Sequence, residues 1–319
     1  MSRIDRRLTI LGFGAGMLSA CSDWQVAEGE KPEPRGGLGG TGIVGTLTDF
    51  GSLLVNGLRI ETAADLAVTS ALGRLAVSQL ALGHNLTIEA ETADGVLIAR
   101  RVHLAHPVIG GVEKLSADGQ SARVAGVNVV AEAGAIGRLQ PGMRVAVSGT
   151  WRGDTVIASR IDPVASGRQD IIAGEIRGDD SAGLSIGGLT LELNGAPAPL
   201  IGGFATVRGQ MVEGRFIVEN VLEGRFTGAA GPLEALSVEG YLEPTARAPF
   251  FAVSGLGHSF DEDAALAPLS ENRAVFSGDY IGTFRVTDAL PVPEDFAKRR
   301  ELLRRALADP AALRRVPTR

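Results

Sequence analysis

Residues 53–60 of this 319-residue chain read Leu-Leu-Val-Asn-Gly-Leu-Arg-Ile. An apolar segment, an Asn-Gly pair and a second apolar segment are a strong signal for a β-hairpin, because both turn positions need a positive φ. Similar segments with a glycine in the turn recur at residues 124–127, 186–189 and 253–256. The sequence therefore predicts the same hairpin four times.

A strand start that contains glycine precedes each hairpin and indicates that a larger unit is repeated. Successive copies of this glycine are 66, 63 and 66 residues apart. They are Gly45, Gly111, Gly174 and Gly240. In the first three copies two further segments follow, as at 86–90 and 96–102, and their apolar and polar residues alternate as in strands that bury one face. The fourth copy is degenerate and has an acidic insertion at 260–263.

We predict an all-β protein of four tandem small OB-like β-barrels of about five strands each, followed by a C-terminal α-helix. Short strands in so small a unit can satisfy their edges by closing on one another. The chain has 43 glycines without a triplet period and a single cysteine, which excludes a collagen-like chain and a disulfide scaffold. The predicted repeats span residues 42–106, 107–168, 169–235 and, for the degenerate copy, 236–293.

Residues 294–319 predict a basic amphipathic helix and tail. Phe296, Leu303, Ala306 and Leu307 recur on one helical face, and most of the segment's arginines lie elsewhere. The simpler interpretation is that the apolar stripe covers a barrel while the arginines meet an acidic body. Contact with anionic lipid or with a partner protein is the alternative.

The N-terminus predicts export and lipid attachment. Residues 1–20 have a cationic start and a short apolar run, as in a signal peptide. The run ends in Leu-Ser-Ala before Cys21, which resembles the lipobox of bacterial lipoproteins, so lipidation is predicted at Cys21. Residues 21–41, rich in Gly, Pro and Glu, predict a tether. Ser22 after the cysteine somewhat favours the outer membrane, while the choice between Sec and Tat export stays open.

The repeat also resembles a known family. Its signatures are the hairpin at 53–60, the segment Leu-x-x-Gly-x-x-x-x-Ile-Glu-Ala at 80–90 and Ile-Ala-Arg-Arg-Val at 98–102. These look like the bacterial family catalogued as domain of unknown function 5666, with the best match in the first repeat and the weakest in the last two. The resemblance implies tandem domains on an exported protein or lipoprotein. It implies no catalytic residues.

The catalytic and binding motifs in the sequence lack the secondary-structure context and residue spacing that their chemistry requires. The G-x-G-x-x-G pattern at 37–42 precedes a strand where phosphate binding needs a helix, and the G-x-S-x-G pattern at 183–187 places Ser185 in a hairpin strand. His103 and His106 should point to opposite faces of an extended chain, and Asp261–Asp263 lack the spacing of a calcium loop. The other histidines are His84 and His258. No catalytic, cofactor or metal site is therefore predicted.

The sequence favours a non-catalytic binding or scaffolding role in the bacterial cell envelope, at the periplasmic face of a membrane. A net charge of −6 argues against nucleic acid as a partner. The expected partners are the membrane, through lipid on Cys21, and an envelope protein. An accessory subunit or an enzyme with a site between barrels is the alternative. Oligosaccharide binding on a barrel face is weaker, because the chain has only two Trp and two Tyr for stacking.

Overall fold

The computed structural model describes residues 39–132, 139–165, 167, 169–179, 183–244, 251–254, 256, 260–261 and 272–308. The predicted signal peptide, Cys21, nearly all of the predicted tether, His258 and the tail after residue 308 lie outside the described residues. Within them the chain is all-β and ends in one helix, as the sequence predicts.

The first repeat contains seven strands, of which five pair in a circuit. They are β1 (Gly40–Asp49), β2 (Leu53–Val55), β3 (Leu58–Glu61), β4 (Ala67–Ser70), β5 (Gly73–Ala76), β6 (Asn85–Ala93) and β7 (Val96–Ala105). The pairs β1–β2, β2–β3, β7–β6 and β6–β1 are antiparallel, and β3–β7 is parallel, so the pairing returns to β1. The hairpin β4–β5 extends this circuit at β7.

The second and third repeats have the same strand order without the added hairpin. The second contains β8 (Val108–Leu115), β9 (Ser121–Val124), β10 (Val127–Ala131), β11 (Arg144–Arg152) and β12 (Thr155–Pro163). The third contains β13 (Asp170–Asp179), β14 (Gly183–Ile186), β15 (Leu189–Leu193), β16 (Phe204–Val212) and β17 (Arg215–Glu223). In each, the third and fifth strands pair in parallel and the fourth pairs with the first, so the circuit again returns to its start.

The fourth repeat departs from this pattern. It contains β18 (Leu233–Pro244), β19 (Phe251–Val253), β20 (Phe260–Asp261), β21 (Arg273–Tyr280) and β22 (Phe284–Pro291). β18 pairs with β19 and β21, and β22 pairs with β21 and β20. Among the described residues no ladder joins β19 to β20, which would complete a circuit.

Two element boundaries differ from the predicted repeat boundaries. β1 begins at Gly40, inside the predicted tether, and β18 begins at Leu233, before the predicted start of the fourth repeat. Both extensions have one cause, because β1 and β18 pair with each other from Gly40 and Leu233 onward. A contact between distant repeats lengthens both strands, and no local signal marks it.

The repeats pair out of sequence order. β1 and β18 run parallel and join the first repeat to the fourth, while β8 and β13 pair through Ile109 with Ile171 and join the second to the third. The strands therefore form one 12-stranded and one 10-stranded sheet. β11 of the second repeat contacts β18 of the fourth, which packs the two sheets together.

The Asn-Gly turn has both the predicted geometry and a second role. Asn56 has φ 56° and Gly57 has φ 75°, as the two-residue turn requires. The Asn56 Nδ2 atom also donates hydrogen bonds to Val44 O at 3.0 Å and to Ser237 O at 3.1 Å. The turn residue thus bridges the first and fourth repeats, since Val44 lies on β1 and Ser237 on β18.

The final helix, α1 (Phe296–Ala308), packs on the fourth repeat and buries Leu303 and Ala306 of the predicted apolar stripe, whereas Leu307 is 41% exposed. Leu303 is buried against Val275 and Val292. Arg300 and Arg304 pair with Asp49 of the first repeat, at 2.9 and 3.1 Å. Arg299 differs from the expectation, because it lies on the buried face with Leu303 and Ala306. No helix in the described part of the chain has the length and apolar character needed to cross a bilayer.

Each repeat has a β-bulge at the corresponding point of the strand that precedes its last strand, and a small residue follows the bulge. The register shifts just before Ala90, Gly149, Gly209 and Gly278. A Cβ atom on Gly149 would lie 2.3 Å from the Ile157 carbonyl oxygen, which is backbone and cannot swing away. A bulge bends its strand and increases its twist, which a closed circuit of short strands requires.

We expect Gly149→Val to lower the free energy of unfolding by roughly 1–3 kcal/mol through overpacking at the bulge. The matched control is Gly111→Val in β8 of the same repeat, where an added Cβ meets no atom within 4 Å. Urea unfolding followed by circular dichroism measures both variants. Equal unfolding midpoints for the two would contradict a structural role for the bulge.

Candidate binding cavity

A cavity of about 80 Å³ lies where all four repeats meet. Each repeat contributes side chains to its wall, so the cavity exists only in the assembled chain. The lining includes Asn85, Thr87, Arg101, His103 and His106 from the first repeat, Thr150 and Trp151 from the second, Phe204, Thr206, Leu222 and Arg225 from the third, and Val238, Glu239, Ser254 and Leu256 from the fourth.

Exposure of the lining residues distinguishes a mouth from a floor. Leu222 is 66% exposed and Arg101, His103, Phe204 and Arg225 are half-buried, so the mouth lies between the first and third repeats. The floor is formed by fully buried residues of the second and fourth repeats. These are mainly apolar, with Trp151, Val238 and Leu256 among them.

Trp151 of β11 packs between the second and third repeats. Its Nε1 donates a hydrogen bond to Ala173 O at 2.8 Å. A Cβ on Gly187 would lie 2.5 Å from the indole ring, so the ring needs a glycine at that position. The indole is thereby held rigidly at the cavity floor.

Arg101, at the mouth, pairs with a buried carboxylate behind it. The Arg101 Nη1 atom is 3.0 Å from Glu89 Oε1. Glu89 also accepts hydrogen bonds from the backbone N–H and hydroxyl of Thr227 and from the Ala229 N–H, at 2.7–2.8 Å. Although desolvation opposes it, this hydrogen bonding holds the pKa of Glu89 below its usual range. Glu89 is therefore an ionised anchor for the segment after β17.

Arg225, in that segment, is a second cation at the mouth. Its guanidinium lies 4.0 Å from the centre of the Phe204 ring, and its Nη1 is 3.4 Å from Thr87 Oγ1. Its carbonyl oxygen accepts a hydrogen bond from Arg101 Nη1 at 3.2 Å, so the two arginines are neighbours. Burial lowers the pKa of Arg225 to about 9, which leaves it cationic at neutral pH.

His103 and His106 both line this cavity, contrary to the expectation that they point to opposite faces. The alternation of a strand does not reach His106, because β7 ends at Ala105. His103 Nδ1 lies 3.0 Å from Thr69 Oγ1, whereas the buried Nδ1 of His106 has no hydrogen-bond partner. Burial lowers the pKa of each ring to about 4, with Arg101 and Arg225 adding to the shift at His103. Both rings are neutral at pH 7.

A buried ion-pair network lies behind the floor. Glu239 Oε1 is 2.8 Å from Arg273 Nε and 3.1 Å from Arg299 Nε, and both arginines also pair with Glu132. Glu239 Oε2 accepts a hydrogen bond from Thr46 N at 2.7 Å. Desolvation would raise the pKa of the buried Glu239, but Arg273 and Arg299 outweigh it and lower the pKa to about 2. For Glu132 burial is the larger effect and raises the pKa. The network joins the first, second and fourth repeats to α1.

Sequence reasoning missed both charge clusters, although one local signal was available. Glu239 occupies the position next to the repeat glycine, where the other copies have Val44, Gly110 and Ala173. A carboxylate at a position that is apolar or glycine in three related units indicates a buried charge with a partner. The identity of those partners depends on contacts between repeats.

The motifs set aside in the sequence stay apart from the cavity. Ser185 lies in β14, as predicted, and its hydroxyl is 3.4 Å from Arg177 O. Gly40–Gly42 belong to β1, and His84 pairs with Asp162 at 3.0 Å. Of the acidic run, only Asp261 is within the described residues. Across the described residues, no group of three or more His, Cys, Asp or Glu side chains could hold a metal ion.

Comparison with known proteins identifies no relative. No protein-family model matches the chain, and no curated protein or solved structure matches it. The interpretation of function therefore depends on the chemistry of the cavity itself.

The neutral histidines make the protein sensitive to acid. Unfolding returns each ring from a pKa of about 4 to its usual 6.5, so between these values the unfolded chain binds more protons and stability falls as pH falls. At about 1.4 kcal/mol per pKa unit, the loss is on the order of 3 kcal/mol per histidine by pH 4. Thermal unfolding between pH 7.5 and 4.5 measures it. His103→Gln with His106→Gln should flatten the profile, and an unchanged profile would contradict the neutral, buried assignment.

Proposed function

We propose that this chain is a lipid-anchored protein of the bacterial cell envelope that binds a small ligand, without catalysis, in the cavity where its repeats meet. The observation that carries the proposal is that all four repeats line one cavity with buried polar groups. Ligand sites combine a pre-formed cavity with apolar walls and a few converging polar groups, and at about 80 Å³ this one is small enough that only a small ligand would fit.

The anchoring part rests on the N-terminal sequence. The lipobox-like residues before Cys21, and the fact that this is the only cysteine of the chain, support lipid attachment there. The Gly-, Pro- and Glu-rich residues 21–41 favour a tether between that lipid and the repeats. The repeats would then lie at the periplasmic face of the membrane, and the outer membrane stays favoured.

The pairing of strands supports the proposal that the first three repeats are OB-like barrels. In each, five strands pair in a circuit with a parallel pair between the third and fifth strands and a bulge in the fourth. Such a circuit leaves no free edge. The sequence signatures at 53–60, 80–90 and 98–102 support kinship with the family of domain of unknown function 5666, which stays a prediction.

A binding role fits the cavity better than catalysis does. A general base works best with a pKa near the operating pH, whereas His103 and His106 have pKa values of about 4. Glu239 is committed to Arg273 and Arg299 and cannot serve as a free carboxylate. The enzyme or accessory-subunit alternative would need its reacting groups from a partner. Oligosaccharide stacking on a barrel face is disfavoured, since Trp151 is buried.

Scaffolding for an envelope protein is the second candidate, and exposed apolar side chains favour it. Leu200 is 72% exposed, and its neighbour Ile201 is 54% exposed. They are adjacent in the chain, just before β16. Exposed apolar groups that cluster in this way are typical of protein interaction sites. Crosslinking in the native envelope would identify such a partner.

We expect Cys21→Ala to release the protein from the membrane fraction, because the thiol that would carry the lipid is lost. Fractionation of bacterial cells, with mass spectrometry of the N-terminal peptide, measures this. Ser19→Ala is the matched control, since it keeps a small residue before the cleavage site and should leave attachment intact. Normal membrane retention of Cys21→Ala would contradict the proposal that lipid on Cys21 anchors the protein.

We expect Thr206→Trp to abolish ligand binding by filling the cavity mouth. The probes are four three-carbon molecules of similar size, propionate, propionamide, 1-propanol and propylamine, followed by ligand-observed NMR. Thr190→Trp is the matched control, since Thr190 is an exposed strand residue of the same repeat. Binding of at least one probe, lost only in Thr206→Trp, supports the cavity as the site. Absence of binding by all four, or binding that Thr206→Trp leaves intact, overturns it.

A further inference from the structure

We propose that the ligand of this cavity is a small organic carboxylate, held at the mouth by Arg101 and Arg225 with its apolar end toward Trp151. The inference rests on the binding role proposed above and specifies the chemical class of the ligand.

The mouth presents two guanidinium groups to the same space. Arg101 and Arg225 are linked by a 3.2 Å hydrogen bond, and Arg225 also approaches Thr87 on β6. Both line the cavity. Guanidinium groups bind carboxylates through parallel N–H donors, and such charge-assisted hydrogen bonds are about twice as strong as neutral ones. The pair therefore suits an anionic head group.

The burial of Arg225 favours an anion further. Burial of the Arg225 side chain disfavours its charge and lowers its pKa to about 9. A carboxylate beside the guanidinium would offset that desolvation. A cationic ligand would add to it.

His106 supplies an independent observation that points to a ligand. The ring is 6% exposed, it lines the cavity, and its Nδ1 has no hydrogen-bond partner. A buried polar atom without a partner costs stability, so a native structure usually satisfies it. A neutral imidazole has one N–H, which a carboxylate oxygen in the cavity can accept.

The floor determines the orientation of the ligand. Trp151, Val238 and Leu256 offer an apolar surface there, and the charge of Glu239 is offset by Arg273 and Arg299. The arginines of the described lining, Arg101 and Arg225, lie at the mouth, so the head group belongs at the mouth and the hydrocarbon part at the floor. Inorganic phosphate has no hydrocarbon part to use this surface. A water molecule takes up about 30 Å³ of liquid, so about 80 Å³ has room for only a few heavy atoms.

Trp151 offers a local readout of binding. The chain has two tryptophans, Trp24 and Trp151, so Trp24→Phe leaves the cavity residue as the only indole. In this background, fluorescence titrations compare propionate with its neutral isostere propionamide and with inorganic phosphate. We expect propionate to bind at least about tenfold more tightly than either.

Variants of Arg225 test whether its positive charge or the shape of its side chain contributes to propionate binding. Arg225→Gln should weaken propionate binding by about tenfold or more, and Arg225→Lys should restore part of it. Arg215→Gln is the matched control, because Arg215 lies in the same repeat with its side chain 67% exposed and paired with Glu192. It should leave the affinity unchanged.

The outcomes distinguish this inference from the binding role on which it rests. Equal affinity for propionate and propionamide, or tighter binding of phosphate, overturns the carboxylate assignment while Thr206→Trp still tests the cavity. Propionate binding that Arg225→Gln does not weaken also overturns it. Failure of every probe, propylamine and 1-propanol included, overturns both proposals.

Discussion

Glu239, Arg273 and Arg299 have no exposed side-chain surface, and with Glu132 they form the ion-pair network on which the assembly of the chain depends. Removing four charges from water is costly, and only close pairing with additional hydrogen bonds offsets the cost. Those partners come from three repeats and from α1, so no single repeat can satisfy them. The network therefore links the folding of each of these units to the docking of the others. It also explains why a basic helix ends an acidic chain, since Arg299 has its partners inside the protein.

The cavity follows from the same out-of-order arrangement. Parallel pairing of β1 with β18 joins the first repeat to the last, and β8–β13 pairing joins the middle two. Two such pairs packed against each other bring one face of all four repeats to a common centre. A linear array of repeats, in which each unit contacts only its neighbours, would not create this centre. The charged groups at the mouth and behind the floor are therefore brought together only by the packing of the repeats, although each side chain comes from a single repeat.

Much of the fold could be predicted from sequence because its signals are local. The Asn-Gly turn, the alternating strands and the repeated glycines report on residues a few positions apart, and the strand order of three repeats agrees with one repeated unit. The candidate site could not be predicted in the same way. His103 and His106 were assigned to opposite faces because alternation was extended past Ala105, where the strand ends. Arg299 was expected away from the apolar face of the helix, and its burial could not be predicted because its partners Glu132 and Glu239 are 167 and 60 positions away.

By itself, the sequence determined the all-β class, the unit shared by the first three repeats, three of the four predicted hairpin turns and the amphipathic final helix. These depend on backbone conformation and on which face of a strand or helix is apolar, and both are properties of short segments. At 253–256 the predicted hairpin is not shown, because β19 pairs with β18 and Gly255 lies outside the described residues. Only the tertiary structure decided which repeats are neighbours, which charges are buried together and that a cavity lies between them. The reason is physical. The state of a buried charge or polar nitrogen depends on the groups that exclude water from it and on the groups that pair with it, and here those groups come from different repeats.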